Sequence, residues 1–279
     1  MGGFIADETP WQGGRVSERA WCVRADNPSP MTYVGTNTWV VAEPGSKKCL
    51  VIDPAPAGAQ VERIVALCDE RALEIAAIFV THDHPDHTEG VAELAARTGV
   101  PVFARDAAVL DRILEGYPGI ERHTVSEGAF CPFEGAPSFE VIDLPGHSTD
   151  SVGLLMTDEK ALFTGDMLFR HGPTVVFYPD GVLGDYLRSL DTLEALVDAG
   201  RAQRFYPGHG YPIDDPARII EETRAHRIER LDQIREALAE GVPADPDALF
   251  EVVYRGVDPR LRDASIRSIK AQLAYLGLL

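Results

Sequence analysis

Cysteine is scarce in this chain. Cys22, Cys49, Cys68 and Cys131 are scattered over 279 residues and form no C-x-x-C pair, which argues against a thiolate zinc site and leaves reduced, packed thiols. Long apolar runs are missing too. None approaches the ~20 uninterrupted residues of a membrane span, so no membrane partner is expected. The opening stretch MGGFIADETPWQGG has no basic n-region and no apolar h-region, and Ala6 stands where N-myristoylation asks for Ser or Thr. A cytoplasmic protein is therefore expected. Positive charge is in deficit: 26 Lys and Arg against 44 Asp and Glu leave a formal net charge of −18. That balance disfavours non-specific contact with phosphate backbones, although a local basic groove stays compatible with it. No strict internal repeat is present, and no serine lies in a G-x-S-x-G elbow.

What remains is ordinary globular material, 45% hydrophobic and 25% charged, long enough for a well-buried core. Residues 1–30 read as irregular. TWVVA and KCLVID read as paired strands across the turn EPGS. AQVERIVALCDERA repeats its apolar residues at helical spacing, with Val61, Ile64, Val65 and Cys68 on one face. A strand IAAIFV, a helix TEGVAELAARTG and a strand VPVFA complete a βαβαβ order. Strands SFEVIDL, SVGLLMT and KALFTGD follow, then a helix bearing Leu187, Leu190, Leu193 and Leu196, and a short strand RFYPG. Two halves, each running strands, helix, strand, predict an α/β fold of two stacked sheets between helices, an αββα sandwich. The character changes near Pro216, where three helices are predicted. Residues 216–279 hold 10 basic and 11 acidic residues, leaving 16 and 33 for residues 1–215. The expected division is thus 1–215 for the body and 216–279 for a small helical domain.

The chemistry concentrates in THDHPDHTEG, where three histidines and two aspartates fall within six positions directly after the buried strand. Such groups are costly to desolvate unless something pairs with them. His82 and His84 alternate on extended chain and can point the same way; Asp86 and His87 lie where the next helix begins. Imidazole and carboxylate suit zinc, and an open zinc site takes three protein ligands plus water. Four candidates exceed one such site. Three further candidates, His147 in PGHS, Asp166 in TGD and His209 in PGHG, each close a predicted strand. Alone, each has a bland reading as a turn or loop residue; together they point to metal.

The ordered set H-x-H-x-D-H, PGHS, TGD and PGHG resembles the metallo-β-lactamase superfamily over about Asp53 to Tyr211. The resemblance implies one metal on His82, His84 and His147, a second on Asp86, His87 and His209, and Asp166 bridging them. It also implies that Asp53, in LVIDPA, orients a ligand histidine from behind, as a carboxylate on the far imidazole nitrogen does. The stretch NPSPMTYVGTNTWVV and the tail are similar to the β-lactamase-like hydrolases related to glyoxalase II, some of which carry a winged-helix-like tail and act as endoribonucleases. Asn37 and His171 are candidate pocket residues, each with an ordinary alternative: a turn or cap for Asn37, a loop histidine for His171. His123 and His226 read as structural.

A binuclear zinc hydrolase acting on a small ester, thioester or lactone is the expectation, two Zn2+ per chain, with Fe or Mn as alternative metals. Asp86 is expected to steer the attacking hydroxide and relay its proton. The competing readings are a metal-dependent phosphodiesterase or ribonuclease, a mononuclear iron persulfide dioxygenase, and a non-enzymatic binding module. In the tail, Arg218, Arg224, Arg227, Arg230 and Arg235 interleave with Glu221, Glu222, Glu229 and Asp232, which reads as intrahelical ion pairs on a solvated face. Nucleic acid is therefore not the favoured partner. Ile219, Ile220, Leu231 and Ile234 are expected to pack the tail on the body, wall the pocket or form a homodimer contact.

Overall fold

The computed structural model describes residues 11–279. Its first sheet runs in the order β1 (Gly14–Arg15), β2 (Ala20–Arg24), β3 (Asn37–Val41), β4 (Lys48–Ile52), β5 (Glu74–Phe79), β6 (Val102–Ala104) and β7 (Arg122–Thr124). The second runs β12 (Arg204–Pro207), β11 (Ala161–Gly165), β10 (Val152–Met156), β9 (Phe139–Asp143) and β8 (Gly128–Phe130). Side-chain alternation decides what each face meets. On β3 and β4, Trp39, Val41, Leu50 and Ile52 point inward and join Val141, Leu154, Phe163 and Tyr206 of the second sheet in one core. Their neighbours Val40, Cys49 and Val51 point outward and pack under α1 (Ala59–Glu70), α3 (Val91–Thr98) and α4 (Ala107–Ile113). The outer face of the second sheet is covered by α5 (Leu183–Asp198), through Leu190, Leu193 and Leu196. The layers are helix, sheet, sheet, helix, as the sequence predicts.

Three local features differ from the sequence reading. Residues 1–30 contain the strand β2, which pairs with β3 from Ala20↔Val41 to Arg24↔Asn37. Both of its faces are covered, Cys22 inward and Val23 outward, so it lacks the polar alternation that marks a half-exposed strand. The helix read over TEGVAELAARTG begins only at Val91, as α3, and a separate short helix, α2 (Pro85–Thr88), precedes it. Between them Gly90 packs so tightly on the carbonyl of Pro54 that a Cβ has no room. The helix α4 was not expected; Asp106 caps it by accepting from the Ala108 N–H at 2.8 Å.

Beyond Pro216 come α6 (Pro216–Ala239), α7 (Pro246–Val253), a 3-10 turn at Pro259–Leu261 and α8 (Arg262–Tyr275). The helix α6 puts Ile219, Ile220 and, past its midpoint, Leu231 into the same core as α5. Its second half makes a small core of Ile234 and Ala237 with Leu249, Ile269 and Leu273. Some tail arginines pair within α6, as Arg218 does with Glu222 at 2.7 Å. Arg224 instead reaches Asp191 and Glu194 on α5, at 2.6 and 3.0 Å. Arg227 corrects the solvated-face reading outright. It is buried, stacks on Tyr186 and donates to the carbonyl of Thr174. Among the described residues no helix is long and apolar enough to cross a membrane.

Candidate metal centre

All seven expected residues come together at one end of the two sheets. Thr81 to Asp83 bend away from β5, His84 is extended, and Pro85 at the first helical position turns the chain into α2, which presents Asp86 and His87. His147 follows β9, Asp166 ends β11 and His209 ends β12. The strand ends are shaped for the task. Gly165 sits at φ +50 where the β11–β12 register slips. At Gly208 a Cβ would collide with the Asp166 carboxylate and the His87 ring, so only glycine lets those two side chains meet.

The side chains sort into two groups. His82, His84 and His147 form one, and Asp86, His87, Asp166 and His209 the other; within each, one ligand atom per residue lies within 4.8 Å of all the rest. In the first, His84 Nδ1 lies 3.1 Å from His82 Nε2 and 3.0 Å from His147 Nε2. A tetrahedral ion with bonds of ~2.0–2.1 Å to nitrogen wants edges of roughly 3.3 Å. In the second, His87 Nε2 faces Asp166 Oδ1 at 3.2 Å, and His209 Nε2 faces Asp86 Oδ2 at 3.2 Å and Asp166 Oδ2 at 3.3 Å. Asp166 Oδ2 is also 3.8 Å from His147 Nε2, so this carboxylate stands between the groups.

Every imidazole is held from behind. His87 Nδ1 donates to Asp53 Oδ2 at 2.9 Å. His82 Nδ1 donates to the Thr81 hydroxyl at 3.0 Å, and that hydroxyl donates to Asp53 Oδ2 at 2.7 Å. His147 Nδ1 donates to the Val175 carbonyl at 2.7 Å, His209 Nδ1 to the Gly35 carbonyl at 3.3 Å and His84 Nε2 to Asp180 Oδ2 at 3.0 Å. With the outer nitrogens committed, the inner nitrogen of each ring is the one that faces the centre and offers a lone pair once the ring is neutral. His87 Nε2, His209 Nε2 and Asp166 Oδ1 are buried and form no aligned hydrogen bond. Orphaned buried polar atoms need a partner, and a cation at each group fits the donors present.

The electrostatics of the two groups differ. Burial, reinforced by neighbouring His87 and His84, pushes His82 well below its ordinary value, and burial brings His147 down to about 4. Burial works against a charged His87 and His209 too. There the carboxylates win: Asp166 and Asp53 raise His87 well above its ordinary value, and Asp166 and Asp86 raise His209 to about 9. Burial likewise opposes ionisation of Asp86 and Asp166. His87 and His209 overcome it, holding Asp86 at about 2 and Asp166 well below its ordinary value.

The remaining candidates are placed as follows. Asp53 is buried and takes the Thr81 N–H at 2.8 Å as well as His87. Asn37 is buried in β3 and away from the cleft. It donates to the carbonyls of Pro207 and Gly210, at 3.0 and 2.8 Å, and so clamps the loop that carries His209. His171 is half-buried against Tyr211, ring centroids 5.7 Å apart, and does not line the cleft either. Both are corrections to the pocket reading. Local sequence gives no sign of partners 170 residues away. His123 stacks on Phe103, and His226 lies on α6, outside both groups. The residue missed is Asp180. Above the centre opens a cleft of about 530 Å3 lined by His84, Asp86, His147 and Asp166, by Met31, Tyr33, Phe169 and Phe177, and by Arg267 of α8.

The fold is a layered α/β sandwich with two candidate metal-ligand groups, one of histidines and one of histidines and carboxylates, at its strand ends. The chain matches the family model of the metallo-beta-lactamase superfamily over residues 31–209. It is 29% identical to the Beta-lactamase-like protein 2 homolog of Caenorhabditis elegans, covering 94% of this chain and 85% of that one. It is 31% identical to an atrochrysone carboxyl ACP thioesterase of Aspergillus chevalieri, over 81% of this chain and 68% of the other. It is 33% identical to a hydroxyacylglutathione hydrolase of Halorhodospira halophila, over 80% and 81% respectively. This chain belongs to the metallo-β-lactamase superfamily and is a hydrolase of that fold.

Proposed function

We propose that the chain is a two-zinc hydrolase of small acyl substrates, with thioesters foremost. The carrying observation is the position of Asp166, whose carboxylate reaches His87, His209 and His147 at 3.2, 3.3 and 3.8 Å and so joins two complete ligand groups. His82, His84 and His147 would hold one ion and Asp86, His87 and His209 the other, with Asp166 shared. Bound there, the metals would supply an acidified water and positive charge beside the scissile carbonyl. The chain's own part is then definite. The far-nitrogen acceptors keep the imidazoles oriented. The cleft's Met31, Tyr33, Phe169 and Phe177 shed water around the acyl group. Asp86, whose side chain is 28% exposed at the cleft, takes the nucleophile's proton and passes it to the leaving thiolate.

Thioester is preferred over lactone or phosphodiester because two relatives with over 30% identity are named for acyl transfer to water from an ACP and from glutathione. A mononuclear iron reading leaves the second, orphaned group without a use. The test is metal content of purified protein followed by a panel of chromogenic thioesters, esters, lactones and phosphodiesters. Two zinc ions per chain with thioesters hydrolysed fastest supports the proposal. One iron per chain, or a phosphodiester preferred, overturns it.

A further inference from the structure

Arg267 is the one arginine or lysine among the described residues that line the cleft. Its neighbours on the same stretch of chain have found carboxylates: Arg260 pairs with Asp258 at 2.7 Å and Arg262 with Asp247 at 2.5 Å. Arg267 has not. Its guanidinium lies over the Phe177 ring, 4.2 Å from the centroid, and forms no hydrogen bond or ion pair among the described residues. In a chain of net charge −18 carboxylates are plentiful, so an unmatched guanidinium is a distinctive feature here. Its backbone carbonyl accepts from the Tyr178 N–H at 3.4 Å, which ties α8 to the loop bearing Phe177 and fixes where the side chain starts. Stacking on an aromatic face holds the guanidinium plane while leaving its N–H edges free. Those edges match a carboxylate or phosphate in two-point geometry.

We infer that Arg267 is a specificity-determining residue, a subsite for an anionic group on the substrate. The inference rests on the thioester reading above and narrows it to thioesters that carry a carboxylate or phosphate away from the scissile bond. The other charged groups lining the cleft are Asp86, Glu89 and Asp166.

The experiment separates this inference from the thioester reading by using thioethers, which have no acyl bond to cut. Calorimetry on the metal-loaded full chain compares S-hexylglutathione, which carries carboxylates, S-hexyl coenzyme A, which carries phosphates, and the neutral S-hexyl-N-acetylcysteamine. Wild type should bind one anionic probe at least about tenfold tighter than the neutral one, as a charge-assisted contact provides. The anionic probe preferred identifies the anion. Arg267→Met keeps an apolar stem on Phe177 and should bring the ratio to about one; Arg267→Lys should keep part of it. An unchanged thermal midpoint in both variants excludes misfolding as the cause. An equal ratio in wild type and Arg267→Met, or no anionic preference in wild type, overturns the inference. Inert thioesters alongside an intact preference would sink the thioester reading and leave the subsite standing.

Discussion

The two ligand groups sit side by side yet are built on opposite principles. The histidine trio has no carboxylate ligand of its own, and burial keeps His82 and His147 neutral. It is preset for a cation. The acid-rich group holds Asp86 and Asp166 against His87 and His209, both of whose pKa values are raised. There, without metal, protons occupy the positions a cation would take. The contrast teaches that one fold end can offer two metals two different entry costs: the trio pays desolvation in advance, whereas the acid-rich group exchanges protons for metal.

The largest expected effect removes what the two groups share. Asp166→Ala should empty the acid-rich group, weaken the trio and reduce turnover by more than the ~100-fold typical of outer partners. Full zinc loading by atomic absorption with near-normal rates would refute the shared assignment. Next come the carboxylates behind the histidines. Asp53→Asn should cost roughly 10–100-fold in metal affinity, read by competition with a chelator. Asp180→Asn, at a side chain 39% exposed, should cost less and affect only the trio. If Asp180→Asn proves the worse of the two, the trio depends on its rim more than its floor.

Protons give a finer test. Zinc titrated into weakly buffered apoprotein at pH 7 should displace protons from His87 and His209 of the acid-rich group, and almost none from His82 and His147. Affinity of the acid-rich group should rise with pH toward about 9, whereas His82 and His147, whose pKa values are lowered by burial, should add no pH dependence above pH 5. Folding follows the same logic. His209, raised from 6.5 to about 9, adds stability to the apoprotein that is fully present below pH 6.5 and is lost as pH rises through 9. Denaturant midpoints of apoprotein that climb from pH 6.5 to 9 would contradict that assignment. The smallest effects are expected outside both groups. His123→Ala and His226→Ala should leave metal content unchanged and shift stability by less than about 1 kcal/mol.

The metal-facing side of the centre was legible because its residues are local words: H-x-H-x-D-H, PGH, TGD and PGHG each sit at a strand end, where chain must turn beside a ligand. The sheet-and-helix layering was legible wherever one face alternates, as on β3, β4 and α1. The supports were not. Asp180 acts on His84 from 96 residues away, and Asn37 clamps Pro207 from 170; neither sits in a recognisable pattern of its own. The strand β2 was missed because it is covered on both faces. Arg227 was misread because helical charge spacing cannot tell an exposed arginine from one that dives to the Thr174 carbonyl. The α4 helix did announce itself, through Asp106 followed by Val109, Leu110 and Ile113.

Asp53 carries a further meaning. Its backbone is left-handed, φ 52, a conformation that costs a non-glycine residue about 1–2 kcal/mol. Glycine would relieve that strain. It would also abandon the Thr81 N–H, the Thr81 hydroxyl and His87 Nδ1, all buried donors that now end on this carboxylate, each worth about 1–3 kcal/mol when orphaned. The exchange is a loss. A descendant that had given up all chemistry would therefore go on keeping Asp53 for as long as Thr81 stayed in place, while His84, half-exposed at the rim, was free to drift. Across a lineage the carboxylate would be a record of folding and the rim histidine a record of use.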